Sequence, residues 1–215
     1  MYQDIFILIP SYNPTSKLLK VVRGLKKNGF ENIVVVDDGS EDKEIFKKIE
    51  VKEILSYEKN KGKGYALKTG FQYLNSKECL GVITVDDDFQ HNPTDVLKVA
   101  DVFLKTKETV LGVRKFENAP FIRRMANKLS AFIFNKKYHT NFIDVQTGLR
   151  SFPKEMLKDL SEIDGDGFEY ELNVLKYLKD KPVHMAFIKT IYADEISHYK
   201  SFKDSKKILK AILKK

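Results

Sequence analysis

The chain has 215 residues, 42% of them hydrophobic and 32% charged, which is enough for one folded α/β domain with a sizeable core. The formal net charge of +8 favours an anionic partner, and nucleic acid, an anionic membrane face and a phosphorylated substrate all fit it. The single Cys79 excludes an intramolecular disulfide, and the sequence has neither a signal-peptide pattern nor a run of about 18 apolar residues. We therefore expect a cytoplasmic protein.

Apolar runs alternate with helical patterns over the first half of the chain. Continuous apolar runs at 5–9, 33–36 and 81–85 predict buried strands, and a shorter run at 54–57 predicts a fourth. Apolar residues at helical spacing predict a helix after each of these strands, at 15–29, 42–49, 65–74 and 94–104. This alternation favours an α/β fold with a mostly parallel sheet flanked by helices.

Polar loops follow three of the predicted strands. The loops are Pro10-Ser11-Tyr12-Asn13, Asp37-Asp38-Gly39-Ser40 and Asp86-Asp87-Asp88-Phe89-Gln90. Ligands of parallel sheets bind beyond the carboxyl ends of the strands, so we expect these loops to meet in one cleft. Three consecutive carboxylates repel one another unless a cation lies among them, and Mg²⁺ or Mn²⁺ would take their oxygens as ligands. By itself, such a cluster is more often a solvated acidic turn.

The second half of the chain has a different pattern. A predicted strand at 110–114 ends in Arg114, and residues 119–138 predict one basic amphipathic helix or two short ones. The remaining predicted elements are a polar loop and short strand at 144–152, a helix at 167–178, a strand at 183–192 and a Lys-rich helix at 201–215. No repeat, linker or low-complexity segment divides the chain, so we expect a single domain over residues 1–215.

Several familiar motifs are absent. Gly62-Lys63-Gly64 lies where a phosphate loop could, but Leu67 stands where the Walker pattern requires glycine before Lys68. No glycine follows three residues after Gly64, which excludes the dinucleotide fingerprint. The four histidines show no zinc-ligand spacing.

Five motifs, in order, resemble those of the family 2 glycosyltransferases with the GT-A fold. Within that family the chain is most similar to the dolichol-phosphate mannosyltransferase and bacterial polyprenyl-phosphate glycosyltransferase group. The motifs are Ile9-Pro10-Ser11-Tyr12-Asn13, Val36-Asp37-Asp38-Gly39-Ser40, Asn60-Lys61-Gly62-Lys63-Gly64, Asp86-Asp87-Asp88-Phe89-Gln90-His91 and Asp144-Val145-Gln146-Thr147-Gly148-Leu149-Arg150. The resemblance covers nearly the whole chain. One departure is Pro14, where related enzymes often have glutamate.

The resemblance implies a role for each matching residue. Asp86 and Asp88 would hold Mg²⁺ or Mn²⁺ with Gln90 as a further ligand, and Asp87 would be the extra acid of the triplet. Arg124 would receive a lipid phosphate, Asp144 and the 167–171 segment would line the acceptor side, and Glu169 is the first candidate for a general base. These five are the implied catalytic residues: Asp86, Asp88, Arg124, Asp144 and Glu169. Those implied to bind the nucleotide sugar are Pro10, Ser11, Tyr12, Asn13, Asp37, Asp38, Lys63, Asp86, Asp87, Arg114, His198 and Lys203.

The implied reaction is inverting, metal-dependent transfer of a sugar from a UDP- or GDP-linked donor to a polyprenyl phosphate. Residues 119–138 would then contact the inner face of the membrane as an interfacial helix, and the basic tail at 196–215 would fold over the active site. A core helix with a solvated face explains 119–138 equally well. The alternatives are a glycan or other hydroxyl acceptor, a nucleotidyltransferase, and a basic nucleic-acid-binding module. No nucleic-acid partner is expected, because the acidic strand ends would repel phosphate without metal.

Overall fold

The computed structural model describes residues 2–115 and 121–189, and for residues 121–123 it describes the backbone alone. Within these residues seven strands form one sheet, in the order β3-β2-β1-β4-β6-β5-β7. The strands are β1 (Ile5–Ser11), β2 (Ile33–Asp37), β3 (Glu53–Ser56), β4 (Gly81–Thr84), β5 (Thr109–Arg114), β6 (Arg150–Pro153) and β7 (Val183–Ile188). All neighbouring pairs are parallel except those that β6 makes with β4 and β5.

Helices cover both faces of this sheet. They are α1 (Ser16–Lys27), α2 (Lys63–Asn75), α3 (Pro93–Thr106), α4 (Phe121–Tyr138), α5 (Leu157–Glu162) and α6 (Glu169–Tyr177). Buried residues of α1 and α3 share one hydrophobic cluster, while those of α2, α4, α5 and α6 share the other. The result is a three-layer α/β/α arrangement with the sheet in the middle.

Strand β1 explains why the sheet is buried on both faces. Ile5, Ile7 and Ile9 belong to the cluster on the α1 side, whereas Phe6 and Leu8 belong to the cluster on the α2 side. Side chains of a strand alternate between faces, so an uninterrupted apolar run supplies both layers of core at once. Burial on both faces is therefore the physical reason that a continuous apolar run predicted a central parallel strand.

The structure confirms the mostly parallel α/β prediction and corrects it locally. The helix predicted at 42–49 is wrong, since only a 3₁₀ turn, Phe46–Lys48, forms there. The side chain of Asp42 accepts from the backbone N–H of Glu44 at 2.8 Å, a local bond that competes with helix formation. Helix α5 was not predicted. The strand predicted at 183–192 ends at Ile188. Residues 190–192 of that prediction and the predicted helix at 201–215 lie outside the described residues.

The helix that follows the three aspartates begins in a well-defined way. The side chain of Asn92 accepts from the backbone N–H of Thr94 at 3.0 Å, and Pro93 occupies the first turn of α3. An Asn cap followed by proline fixes the start of a helix, because proline needs no hydrogen-bond partner there. The loop 85–92 is thereby held between β4 and α3. None of the described helices is long and apolar enough to cross a membrane.

Candidate active site

The three polar strand ends meet at one edge of the sheet, as predicted. Ser11 is the register partner of Asp37, and its carbonyl oxygen accepts from the backbone N–H of Asp38 at 2.8 Å. The hydroxyl of Ser11 donates to Oδ2 of Asp87 at 2.5 Å, which connects β1 to the loop after β4. One cleft edge therefore contains the ends of β1, β2 and β4.

Asp38 is buried and organises the 57–62 segment. Its carboxylate accepts from Tyr57 Oη at 2.7 Å, from Asn60 Nδ2 at 3.0 Å, and from the backbone N–H groups of Lys61 and Gly62 at 2.8 and 2.9 Å. Burial, followed by the hydrogen bond to Asp38, raises the pKa of Tyr57, which keeps its phenol protonated as a donor. Asp38 thus positions the loop that leads to Lys63.

Gly39 permits this close approach. Its φ is +70°, and a Cβ added there would lie 2.4 Å from the carbonyl carbon of Lys59. Any other residue would therefore meet both a left-handed backbone and a fixed backbone neighbour.

The 11–13 loop is attached to the β2 loop on its other side. The backbone N–H of Asn13 donates to Ser40 Oγ at 2.9 Å, and Oδ1 of Asn13 accepts from the backbone N–H of Glu41 at 2.9 Å. Oδ1 of Asp37 accepts from the backbone N–H of Ser40 at 2.8 Å. These contacts leave the ring of Tyr12 45% exposed beside the cleft edge.

Lys63, at the start of α2, lies between two carboxylates. Its ammonium is 2.7 Å from Oδ1 of Asp86 and 3.1 Å from Oε2 of Glu171 in α6. Burial by itself would raise the pKa of Asp86, but the charge of Lys63 and then that of His91 hold it below its usual value. Gly148 makes room for this carboxylate, because a Cβ there would lie 2.3 Å from Oδ2 of Asp86. The two ion pairs of Lys63 therefore connect the loop after β4, helix α2 and helix α6.

The other two aspartates differ from Asp86. Burial first, and then the charges of Asp86 and Asp88, raise the pKa of Asp87 to about 6, although its hydrogen bond from Ser11 acts in the opposite direction. Burial and the charge of Asp86 also raise the pKa of Asp88. Oδ1 of Asp88 accepts from the backbone N–H of Gln90 at 2.9 Å. Asp87, predicted to be the extra acid, therefore has a definite contact to β1.

Arg114 and Asp144 pair with each other. Nε and Nη2 of Arg114 donate to the two carboxylate oxygens of Asp144 at 2.6 and 2.8 Å. Asp144 is 1% exposed; burial by itself would raise its pKa, but the guanidinium lowers it. The predicted roles of Arg114 toward the diphosphate and of Asp144 toward the acceptor stay predictions. In the ligand-free structure the two side chains bind each other in a bidentate pair.

Glu169 and Glu171 occupy different surroundings. Oε1 of Glu169 accepts from the backbone N–H groups of Asp166 and Gly167 at 3.1 and 3.0 Å, at the beginning of α6. Glu171, two residues later, is the one that contacts Lys63. The two side chains diverge because successive helical residues turn by about 100°. Glu171 therefore belongs to the ion pairs around Lys63, whereas Glu169 accepts hydrogen bonds at the start of α6. Glu169, the predicted general base, has no described contact with the three aspartates.

Replacing Glu169 by alanine should destabilise the fold by about 1 kcal/mol at pH 7, the usual cost of losing a helix-terminal acceptor. Burial opposes ionisation, but bonds from the backbone N–H groups of Gly167 and Asp166 lower the pKa of Glu169. A lowered folded-state pKa adds stability above the unfolded pKa, about 4.3, and that stability is lost as the pH falls through the folded value. Urea denaturation of Glu169→Ala and wild type, at pH 7 and stepwise down to pH 3.5, measures this. Glu162→Ala, at the exposed end of α5, is the control. A difference that persists unchanged at pH 3.5 would contradict the charged-acceptor role.

Arg150 was not predicted as a site residue, and Glu171 was predicted only as part of the 167–171 segment on the acceptor side. Arg150 is buried, and it donates from Nε to the carbonyl oxygen of Thr147 and from Nη1 to that of Glu171, each at 2.8 Å. It thereby fixes the 144–150 loop against α6. The signal in the sequence that could have identified Arg150 is its position at the end of the fifth motif.

Arg124 lies in the first half of α4 and is partly buried. His198 and Lys203, together with the tail at 196–215, lie outside the described residues.

The predicted metal ligands Asp86, Asp88 and Gln90 lie on the loop after β4, and their role stays a prediction. The described residues contain no group of three or more His, Cys, Asp and Glu side chains arranged to hold a metal. Asp86 and Asp88 nevertheless supply carboxylate oxygens on one short loop, and Mg²⁺ is commonly held by one or two carboxylates plus substrate phosphates and water.

The fold gives the structural class of the protein. Its mostly parallel seven-stranded sheet flanked by helices matches solved structures with the GT-A glycosyltransferase fold. Glucosyl-3-phosphoglycerate synthase from Mycobacterium tuberculosis superposes with a TM-score of 0.76 at 15% identity, over 97% of this chain and 78% of that one. At this identity the likeness demonstrates the fold.

Sequence comparison gives the family. The model described as Glycosyl transferase family 2 matches residues 6–161, and the chain belongs to this family of enzymes. An uncharacterised protein of Methanocaldococcus jannaschii is 30% identical, over 96% of each chain. The UDP-N-acetylglucosamine–dolichyl-phosphate N-acetylglucosaminyltransferase of Methanococcus voltae is 32% identical over 74% of this chain and 72% of its own.

Proposed function

We propose that this glycosyltransferase moves a sugar from a nucleotide-diphosphate sugar to a polyprenyl phosphate, with inversion and with Mg²⁺ or Mn²⁺ as cofactor. The observation that carries the proposal is the position of the three aspartates after β4: Asp87 contacts Ser11 at the end of β1, beside the end of β2, and Asp86 contacts Lys63. The name of the Methanococcus voltae relative supports both the donor and the lipid-phosphate acceptor. The Mycobacterium tuberculosis structure, which contains Mn²⁺ and UDP-glucose, supports the cofactor.

Asp86 and Asp88, with Gln90, are the residues that would hold the metal. When bound, the metal neutralises charge on the leaving diphosphate. The chain's own part is to orient the donor: the exposed ring of Tyr12 offers a stacking surface for the base, and the 10–13 loop with Asp37 and Asp38 frames the nucleoside. Lys63 supplies a cation beside Asp86 for the phosphates. Arg114, His198 and Lys203 belong to the same proposed donor site.

The downstream carboxylates favour a phosphate acceptor over a hydroxyl. A hydroxyl nucleophile needs a general base within hydrogen-bond reach, whereas a lipid phosphate is already anionic. Asp144 is paired with Arg114, Glu171 with Lys63, and Glu169 with two backbone N–H groups. An acceptor that requires no proton removal leaves all of these contacts intact, and Arg124 is the cation proposed to receive it.

A titration tests the donor half of the proposal. Thermal-shift measurements with UDP, GDP and CDP and their sugars, each with and without Mn²⁺, should show a metal-dependent rise in melting temperature for at least one nucleotide. The acceptor half is tested by adding a polyprenyl phosphate or a free sugar and following release of the nucleoside diphosphate. No response to any nucleotide would overturn the proposal, and turnover only with a hydroxyl acceptor would overturn the lipid part.

We also propose that α4 contacts the inner face of the membrane. Along its outer face Met125, Leu129 and Phe132 are 50%, 49% and 64% exposed, at helical spacing. Lys128 and Lys136 are exposed beside them, and α4 contains no acidic residue. An apolar stripe bordered by cations suits an anionic lipid surface.

Replacing Leu129 by serine should weaken binding to vesicles that contain anionic lipid several-fold, because apolar area is lost from the interface. Vesicle flotation at two ionic strengths measures this. Leu80→Ser, at a residue 38% exposed before β4, makes the same change elsewhere and should bind as wild type does. Equal flotation of both variants, or flotation indifferent to anionic lipid, would contradict a membrane role for α4.

A further inference from the structure

Asn127 in α4 is a buried amide without a partner. Its side chain is 2% exposed, and neither Oδ1 nor Nδ2 finds a hydrogen-bond partner in the part of the chain that the structure describes. Native proteins rarely leave both ends of an amide unsatisfied, because each unpaired buried group carries a desolvation cost. A residue held at such a cost calls for an explanation.

Asn127 lies on the face of α4 that contacts the 144–146 loop through Ser130. Three residues later on the same face, Oγ of Ser130 accepts from Nε2 of Gln146 at 3.2 Å. The backbone N–H of Gln146 donates to Oδ1 of Asp144, the partner of Arg114 at the end of β5. Asn127 is therefore about one helical turn, roughly 5 Å, from a contact that leads directly to the site.

The neighbouring buried residues show that this face of α4 is packed against the body of the enzyme. Ser130, Ala131 and Phe134 are all buried, and Phe134 belongs to the hydrophobic cluster on that side of the sheet. An apolar residue would serve packing at Asn127 better than an amide does. The amide is thus not explained by the fold.

The chemistry of the free groups indicates the ligand. An amide with both its N–H donor and its carbonyl acceptor available matches a group that also donates and accepts, such as a sugar hydroxyl or an acetamido group. A phosphate would use only the donor and would leave Oδ1 unpaired. A neutral polar substituent of a sugar satisfies both ends.

We propose that Asn127 is a specificity-determining residue that binds a hydroxyl or acetamido group of the transferred sugar. This inference rests on the proposed function, since it requires a nucleotide-sugar donor. A site that hydrogen-bonds a substrate hydroxyl discriminates strongly against a ligand that lacks it, because the protein's polar group is then left unpaired.

The test uses Asn127→Leu, which keeps the volume and removes both polar groups. In the ligand-free protein its melting temperature should be equal to wild type or higher by about 2 °C, since an unsatisfied amide is removed. The control is Asn135→Leu on the same helix. Oδ1 of Asn135 accepts from Thr140 and Phe142, and its Nδ2 donates to Phe142, so this variant should melt lower.

Binding separates a ligand role from a structural one. Calorimetric titration with UDP, UDP-glucose, UDP-N-acetylglucosamine, GDP and GDP-mannose, each with Mn²⁺, is carried out on wild type and Asn127→Leu. We expect unchanged affinity for the free nucleoside diphosphate and about a tenfold loss for the sugar-bearing form. Equal loss for both forms, unchanged affinity for both, or a lowered melting temperature would overturn the inference while leaving the proposed function intact. Failure of wild type to bind any nucleotide would overturn the proposed function and this inference with it.

Discussion

Replacing Asp88 by alanine should abolish the Mn²⁺-dependent rise in melting temperature that a nucleoside diphosphate produces. Asp88 and Asp86 are the two carboxylates proposed to hold the metal, and the substrate phosphates alone would bind it weakly. A ligand present at one hundred times its dissociation constant stabilises a protein by about 2.7 kcal/mol, so the loss of this response is a large effect. Removing one of three neighbouring carboxylates relieves repulsion, so the ligand-free variant should melt no lower than wild type.

Asp180→Ala is the matched control for Asp88→Ala. Its carboxylate is 83% exposed and lies 3.6 Å from Lys179, in the turn before β7 and away from the three aspartates. This variant should keep the full response to nucleotide and Mn²⁺. If Asp88→Ala retains the response as well, the metal is not held where we propose.

Replacing Lys63 by methionine should destabilise the folded state by about 2–3 kcal/mol, less than the cost of breaking a fully buried ion pair, because these groups are partly open to water. The side chains of Lys63, Asp86 and Glu171 are 21%, 26% and 15% exposed, and both carboxylates would lose their shared cation. Urea denaturation at pH 7 measures the change. Substituting Glu171→Gln in the same chain should restore part of the stability, because one of the two uncompensated charges is then gone.

Lys68→Met, on the same helix, provides the comparison for Lys63→Met. Lys68 lies 2.6 Å from Asp166, whose side chain is 59% exposed, and a pair so open to water contributes at most about 1 kcal/mol. Equal losses in the two variants would mean that burial around Lys63 does not strengthen its ion pairs.

The strand ends were predictable because local chemistry specifies them. Apolar runs such as that of β1 form central strands wherever both faces of a sheet are covered, and a change to Asp, Asn or Ser marks where each strand leaves the core. Parallel topology then brings those ends to one edge without further information. For this reason Ser11, Asp38 and Asp86 were correctly grouped from the sequence.

The partners within the site were not predictable in the same way. Glu169 and Glu171 are two residues apart in similar surroundings, and only the packing of α6 decides that Glu171 contacts Lys63. Arg114 and Asp144 are 30 residues apart, and their pairing depends on the position of the 144–148 loop beside β5. The antiparallel insertion of β6 between β4 and β5 likewise has no local signature.

The sequence by itself therefore determined the fold class, the family resemblance and the edge of the sheet where chemistry takes place. Hydrophobic periodicity and strand-end polarity act over a few residues, so they can be observed in the chain directly. The tertiary structure alone decided which charges neutralise one another and which amide, that of Asn127, is buried without a partner. Such pairings depend on distances between residues remote in sequence, and these distances exist only after the helices have packed on the sheet.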